Sequence, residues 1–148
     1  MGNRLEFLMS LYKIWKTDKI YIAYCKEEVK GRGVFANKDF KKDEVIERCP
    51  TIPITTKEYN KGFDDTILSQ YIFMNCWNGA YWNEEDGYIL VFGYGSIYNH
   101  SRNPNMMVSV DTTLENCLLF TALCDIKKDD ELTYDYEAHE GYFDIEVE

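Results

Sequence analysis

Apolar residues recur at three- and four-residue spacing at the start of the chain: Leu5, Leu8, Met9, Tyr12 and Trp15. That spacing predicts an amphipathic helix over residues 4–17. Its apolar stripe has two uses open to it. The simpler is to cover the domain's own core; the other is to pair with a second copy of the chain as a homodimer. From Ile20 the period shortens. IYIAYC is β-rich, KEEVKGRG is polar, and VFA is apolar again, which predicts strand, loop, strand. DEVIERC and TIPI read as two further short strands. Between Thr55 and Trp77 the pattern turns helical. Thr56 is placed to cap a first short helix. Asp64 or Asp65 is placed to cap a second, with Ile67, Leu68, Tyr71 and Ile72 on its inner side. NGAYWNEEDGYILVF reads as a hairpin with its loop at residues 83–87. MMVSV, CLLFTAL and ELTYDY close the regular part. In the last of these Leu132, Tyr134 and Tyr136 alternate with Glu131, Thr133 and Asp135. The pattern describes a mostly β domain over residues 20–148, with a small helical insert and a helical extension over residues 1–19.

One stretch breaks the pattern. YNHSRNPN, residues 98–105, lies between apolar segments yet carries three asparagines, a histidine and a proline. Asn-Pro and Ser are turn formers, and the residue before a proline is pushed out of the α region. A bent segment buried between strands lacks ladder partners for its amides. Asn and His side chains can supply them, and the same bent backbone can present amides and carbonyls to a ligand.

Composition narrows the chemistry. Apolar residues make up 45% of the 148, enough for one core, and aromatics 16%. The formal net charge is -10. That argues against direct nucleic-acid binding, which needs Lys and Arg on phosphates, and suits a basic peptide as partner. Plain solubility explains the charge as well. The five cysteines include no C-x-x-C pair, so zinc or a disulfide framework is not expected, nor any other metal site. Reduced thiols fit an intracellular compartment. No signal peptide and no membrane-spanning stretch is read in the sequence.

Taken singly, Gly31-Arg32-Gly33 is an ordinary turn and the tyrosines of ELTYDY are ordinary packed aromatics. In order, GRGVFA, then YNHSRNPN, then KKDDELTYDY resemble the SET-domain family of protein lysine methyltransferases, over roughly residues 20 to 143. The resemblance implies a β-clip fold of several short sheets with a knot-like C-terminal threading, in which the NHS segment passes beneath the C-terminal segment. It implies S-adenosyl-L-methionine as cofactor and a lysine in a basic protein as substrate, a histone tail by default, with nuclear or chromatin-associated localisation. Tyr136 matches the family's catalytic tyrosine, orienting the amine and the transferring methyl. Tyr134 matches the position that limits the number of methyls, implying mono- or dimethylation. Tyr71 is similar to the channel tyrosine of the insert. Asn99 and His100 are implied to hold the methionine part of the cofactor, with Gly31, Arg32 and Gly33 against it through their backbone. Tyr142 or Phe143 is implied as a lid over the adenine.

Two departures stand out. Zinc modules that flank many SET domains are missing, and VIERCPTIPI lacks the tyrosine-x-Gly-Glu sequence of many relatives. Tyr94 or Tyr98 is then a candidate replacement in the lysine channel. A non-catalytic SET module that binds the cofactor or a basic peptide as a scaffold is the alternative from another class. A purely structural acidic β-domain is the third.

Overall fold

The computed structural model describes residues 17–74, 87–114 and 116–136. Nine strands follow in order: β1 Ile20–Tyr24, β2 Arg32–Ala36, β3 Val45–Ile54, β4 Phe73–Met74, β5 Tyr88–Val91, β6 Asn99–His100, β7 Met106–Val110, β8 Cys117–Ala122 and β9 Glu131–Tyr134. The chain is mostly β, built of short sheets, as its alternating pattern implies. The helix expected over 4–17 lies outside the described residues, apart from Thr17. There the Thr17 hydroxyl oxygen accepts the amides of Lys19 and Ile20, at 3.2 and 3.0 Å, and so opens β1.

The chain forms two compact units. The first holds the described residues of 1–46, 97–107 and 121–134. Its sheet has the strand order β1-β2-β9-β6. β1 and β2 pair antiparallel, with Ile22 opposite Val34 and Ala23 opposite Gly33. β2 pairs antiparallel with β9, with Val34 opposite Leu132 and Phe35 opposite Glu131. β6 runs parallel to β9, with Asn99 opposite Thr133 and His100 opposite Tyr134. Because side chains alternate across a sheet, this register separates two faces. Ile20, Ile22, Val34, Ala36 and Leu132 are buried and form the packed face, where Phe40, Tyr98, Met106 and Ile126 are also buried in the unit's core. The other face carries Tyr21, Ala23, Gly33, Phe35, Glu131 and Asn99.

The second unit holds the described residues of 47–96, 108–120 and 135–148. Its strands belong to a five-stranded sheet of order β4-β5-β3-β8-β7. Cys49, Ile89, Leu118 and Phe120 are fully buried there. Three expectations change in this unit. VIERC and TIPI are not two strands but one, β3, which runs through Pro50 and Pro53. A proline cannot donate to a ladder, but its carbonyl still accepts: Pro50 O takes the amide of Phe92 at 2.9 Å. The insert's first helix, α1 Thr56–Glu58, is capped by Thr55 rather than Thr56. The Thr55 hydroxyl accepts the Glu58 amide at 3.1 Å and Glu58 Oε2 accepts the Thr55 amide at 3.0 Å, a reciprocal capping box. The expected second helix is one tight turn, Ile67–Gln70, entered from Thr66 without a side-chain cap. Asp64 and Asp65 do not cap it, and Ile67, Leu68 and Tyr71 are exposed rather than facing inward. Of the expected hairpin, only its second strand, β5, lies within the described residues, where it pairs with β4 and β3.

Candidate cofactor site

The second face of the first unit's sheet gathers polar atoms around one glycine. Gly33 sits on β2 opposite Ala23. A Cβ at Gly33 would lie 2.7 Å from Glu131 Oε1, 2.8 Å from Cys25 Sγ and 3.0 Å from Asn99 Nδ2. Only a residue without a side chain leaves room for all three. Gly31, two positions earlier, has φ 65 and takes the left-handed turn that ends the loop. Its carbonyl accepts the Cys25 amide at 2.8 Å, which brings Cys25 back beside Gly33.

The three side chains bond one another. Asn99 Nδ2 donates to Glu131 Oε1 at 2.9 Å and to the Arg32 carbonyl at 3.0 Å. The Cys25 thiol donates to the same Glu131 oxygen at 3.3 Å. Burial, and then the neighbouring Glu131 carboxylate, push the Cys25 thiol up to about 11. It therefore stays protonated at neutral pH, acts as a hydrogen-bond donor and is a poor nucleophile. On the same face a cavity of about 440 Å³ is lined by Tyr21, Ala23, Cys25, Lys30, Phe35 and Glu131 among others. The Tyr21 ring stacks on Phe35 at 5.6 Å and its hydroxyl donates to Asp129 Oδ1 at 2.8 Å. Burial and that carboxylate both raise the Tyr21 hydroxyl's pKa.

The puzzling stretch 98–105 owes its composition to this sheet. Asn99 bonds β2 and β9 as described. Asn105 Nδ2 donates to the Glu131 carbonyl at 2.8 Å, and its Oδ1 accepts the Thr133 amide at 3.0 Å. The Asn103 amide donates to the Ser101 hydroxyl at 3.1 Å. The asparagines thus do the work of a strand edge where the bent chain cannot.

The residues named from the sequence divide between the units. Gly31, Arg32, Gly33, Asn99, His100 and Tyr134 belong to the first. Tyr134 is buried on β9, with His100 as its register partner. Tyr71 and Tyr136 belong to the second, both about half exposed. Tyr142 and Phe143 lie outside the described residues. Of the two replacement tyrosines, Tyr98 is fully buried in the first unit's core. Tyr94, in the second, donates its amide to Glu47 at 2.9 Å. Sequence reasoning passed over Cys25, Glu131 and Asn105. The signal available was period-two alternation, which sets Glu131 opposite Leu132 in facing. Among the described residues no group of His, Cys, Asp or Glu could hold a metal, and no helix is long and apolar enough to cross a membrane.

A backbone carbonyl, an amide and a carboxylate meet beside a glycine that lets a ligand approach the chain.

Comparison with known proteins agrees with this architecture. The SET domain family model matches residues 31–137. A fission yeast (Schizosaccharomyces pombe) protein, "Histone-lysine N-methyltransferase, H3 lysine-37 specific", is 33% identical over 113 residues, 76% of this chain and 70% of its own. Among solved structures, a Plasmodium falciparum protein provisionally assigned as a histone methyltransferase is 33% identical, with TM-score 0.57, over 80% of this chain and 96% of that one. CpSET8 from Cryptosporidium is 25% identical, with TM-score 0.58, over 79% of this chain and 56% of that one. A Chaetomium thermophilum Polycomb Repressive Complex 2 structure shares the fold at 21% identity and TM-score 0.62, over 81% of this chain and 15% of that one. The glycine turn, the asparagine-rich crossing and the tyrosine strand all fall within the matched region, and the chain belongs to the SET-domain family of protein lysine methyltransferases.

Proposed function

We propose that this chain uses S-adenosyl-L-methionine to methylate a lysine of a histone tail, adding one or two methyl groups. The observation that carries the reading is the convergence of Gly33, Asn99 and β9 within the region that matches the SET model. The fission yeast relative, named for a histone H3 lysine, supports the substrate class. So does the net charge of -10, which raises the local concentration of a basic tail. A histone substrate goes with a nuclear location.

The cofactor supplies an activated methyl group on a positive sulfur. The chain's own residues must bind, align and dry the reactants. Asn99 and the Arg32 carbonyl hold the methionine end, with Gly31 and Gly33 permitting close approach and His100 bordering it. Tyr136 directs its hydroxyl to the lysine amine and aligns it for in-line displacement, while Tyr71 lines the channel for the aliphatic stem. A free lysine has a pKa of about 10.4. Aromatic walls lower it by keeping water away, and so help release the proton before transfer.

The test is incubation with labelled cofactor and separate pools of histones and total cell protein, read by mass spectrometry. One or two methyls on a histone lysine are expected. Tyr136→Phe should reduce kcat by about a hundredfold or more, the scale of losing one aligned hydroxyl, with cofactor affinity unchanged. Label on other basic proteins alone would sink the histone assignment and keep the chemistry. Cofactor binding with no label on any protein would favour the non-catalytic scaffold. Equal activity in Tyr136→Phe would remove the role given to that hydroxyl.

A further inference from the structure

Asn99 can recognise a cation or an anion, depending on which end of its amide faces the ligand. Its oxygen partners favour one orientation. Nδ2 has three partners, the Arg32 carbonyl at 3.0 Å, Glu131 Oε1 at 2.9 Å and Cys25 Sγ at 3.3 Å, and the two oxygens among them can only accept. Turning the amide over would set its oxygen against two other oxygens. Among the described residues, Asn99 Oδ1 has no hydrogen-bond partner. The Arg32 carbonyl is part of the backbone and comes with any sequence that makes the turn. The Glu131 carboxylate is the component that side-chain chemistry adds.

We infer that Glu131 is a positioning residue, which engages the Asn99 amide nitrogen and so presents Asn99 Oδ1 to the α-ammonium group of the cofactor. The inference rests on the proposed function. Three features hold the carboxylate in place. Glu131 is on β9, in register with Phe35 of β2. Its Oε1 also accepts the Cys25 thiol at 3.3 Å. The missing side chain of Gly33 leaves the space in which that oxygen sits, 2.7 Å from the Cβ that any other residue would carry. Glu131 acts through Asn99 here and does not itself contact the ligand.

Calorimetry of the full chain with two ligands tests this: S-adenosylhomocysteine, and the same compound with its α-amine replaced by hydrogen. Glu131→Leu removes the acceptor. It should weaken S-adenosylhomocysteine about tenfold, the scale of one hydrogen bond to a charged group, and leave the deaminated compound within about twofold. Glu131→Gln keeps an oxygen for the Asn99 nitrogen and should recover most of the lost affinity. Equal loss for both ligands would make Glu131 merely structural and overturn the inference. Equal loss in Gln and Leu variants would also overturn it, making the carboxylate's charge the agent. A second comparison covers a Leu variant that does not fold. In Asn99→Asp the new carboxylate opposes Glu131, and binding should fall. Adding Glu131→Gln lets the amide and carboxylate change places, and binding should rise again. No rise would count against the positioning role. A wild-type chain that binds neither ligand would refute the proposed function along with the inference.

Discussion

Tyr134 and Gly33 show how single positions are constrained in opposite ways. Gly33 is constrained by what surrounds it: three polar side-chain atoms lie within 3.0 Å of its absent Cβ, and any larger residue would have to push them aside. Tyr134 is buried on β9 and brings a hydroxyl with it. On the proposed function, that hydroxyl holds the amine and fills the space a further methyl needs. Tyr134→Phe should therefore shift the product by one methyl towards trimethyl-lysine, at a stability cost of about 1 kcal/mol. Intact-mass analysis of a methylated peptide reads the shift directly. An unaltered distribution of mono-, di- and trimethylated product would take the product-limiting role away from Tyr134.

At the scale of elements, β9 depends on a loop for part of its pairing. Asn105 satisfies one carbonyl and one amide of β9 from outside any ladder. Asn105→Ala leaves both groups without that partner. The expected loss is about 2 kcal/mol, or a fall in Tm of about 4–8 °C. A melting curve within a degree of wild type would show that water replaces the asparagine at no cost. Short β-rich apolar runs made β1, β2, β8 and β9 legible, because their side chains are largely buried. They also made a polar segment such as YNHSRNPN conspicuous. β3 was not legible as one strand, since prolines read as breaks while only the N–H is lost. The insert was misread for another reason. Its apolar residues have helical spacing, but Gly62 at φ 118 ends the first turn and the second never lengthens. At the site, Asn99 was legible by motif. Its bond to Glu131 was not, because it requires β6 to lie parallel to β9, a non-local pairing that no local period encodes.

For the whole molecule, acidity bears on acid stability and, on the proposed function, on the choice of a basic substrate. Most of the 26 acidic side chains serve the field of the protein. Asp111 is different: it is buried in the second unit and paired with Arg48. Its carboxyl is held down at about 2, first by the Thr113 hydroxyl, then by the Thr113 amide, with Arg48 adding to them against burial. A depressed carboxylate stabilises the fold above its unfolded pKa and loses that contribution as pH falls through the folded one. The window thus runs from about 3.8 down to about 2. Melting curves of wild type and Asp111→Asn should differ at pH 7, wild type being the more stable. The gap should close across that window. Parallel curves down to pH 2 would show that Asp111 adds nothing as an anion.

The strand order β1-β2-β9-β6 has a consequence for the time course of synthesis. Among the described residues β9 is the last strand to be made, yet it fills the place between β2 and β6. While residues 131–134 are still in the ribosome, β2 lacks a partner on one edge and β6, last in the order, lacks its sheet partner altogether, and bare edges invite foreign strands. Glu131 arrives with β9, so the polar cluster around Gly33 is completed by the same event that closes the sheet. On the proposed function, the carboxylate that orients Asn99 thus arrives last, and closing the sheet and finishing the cofactor site are one step.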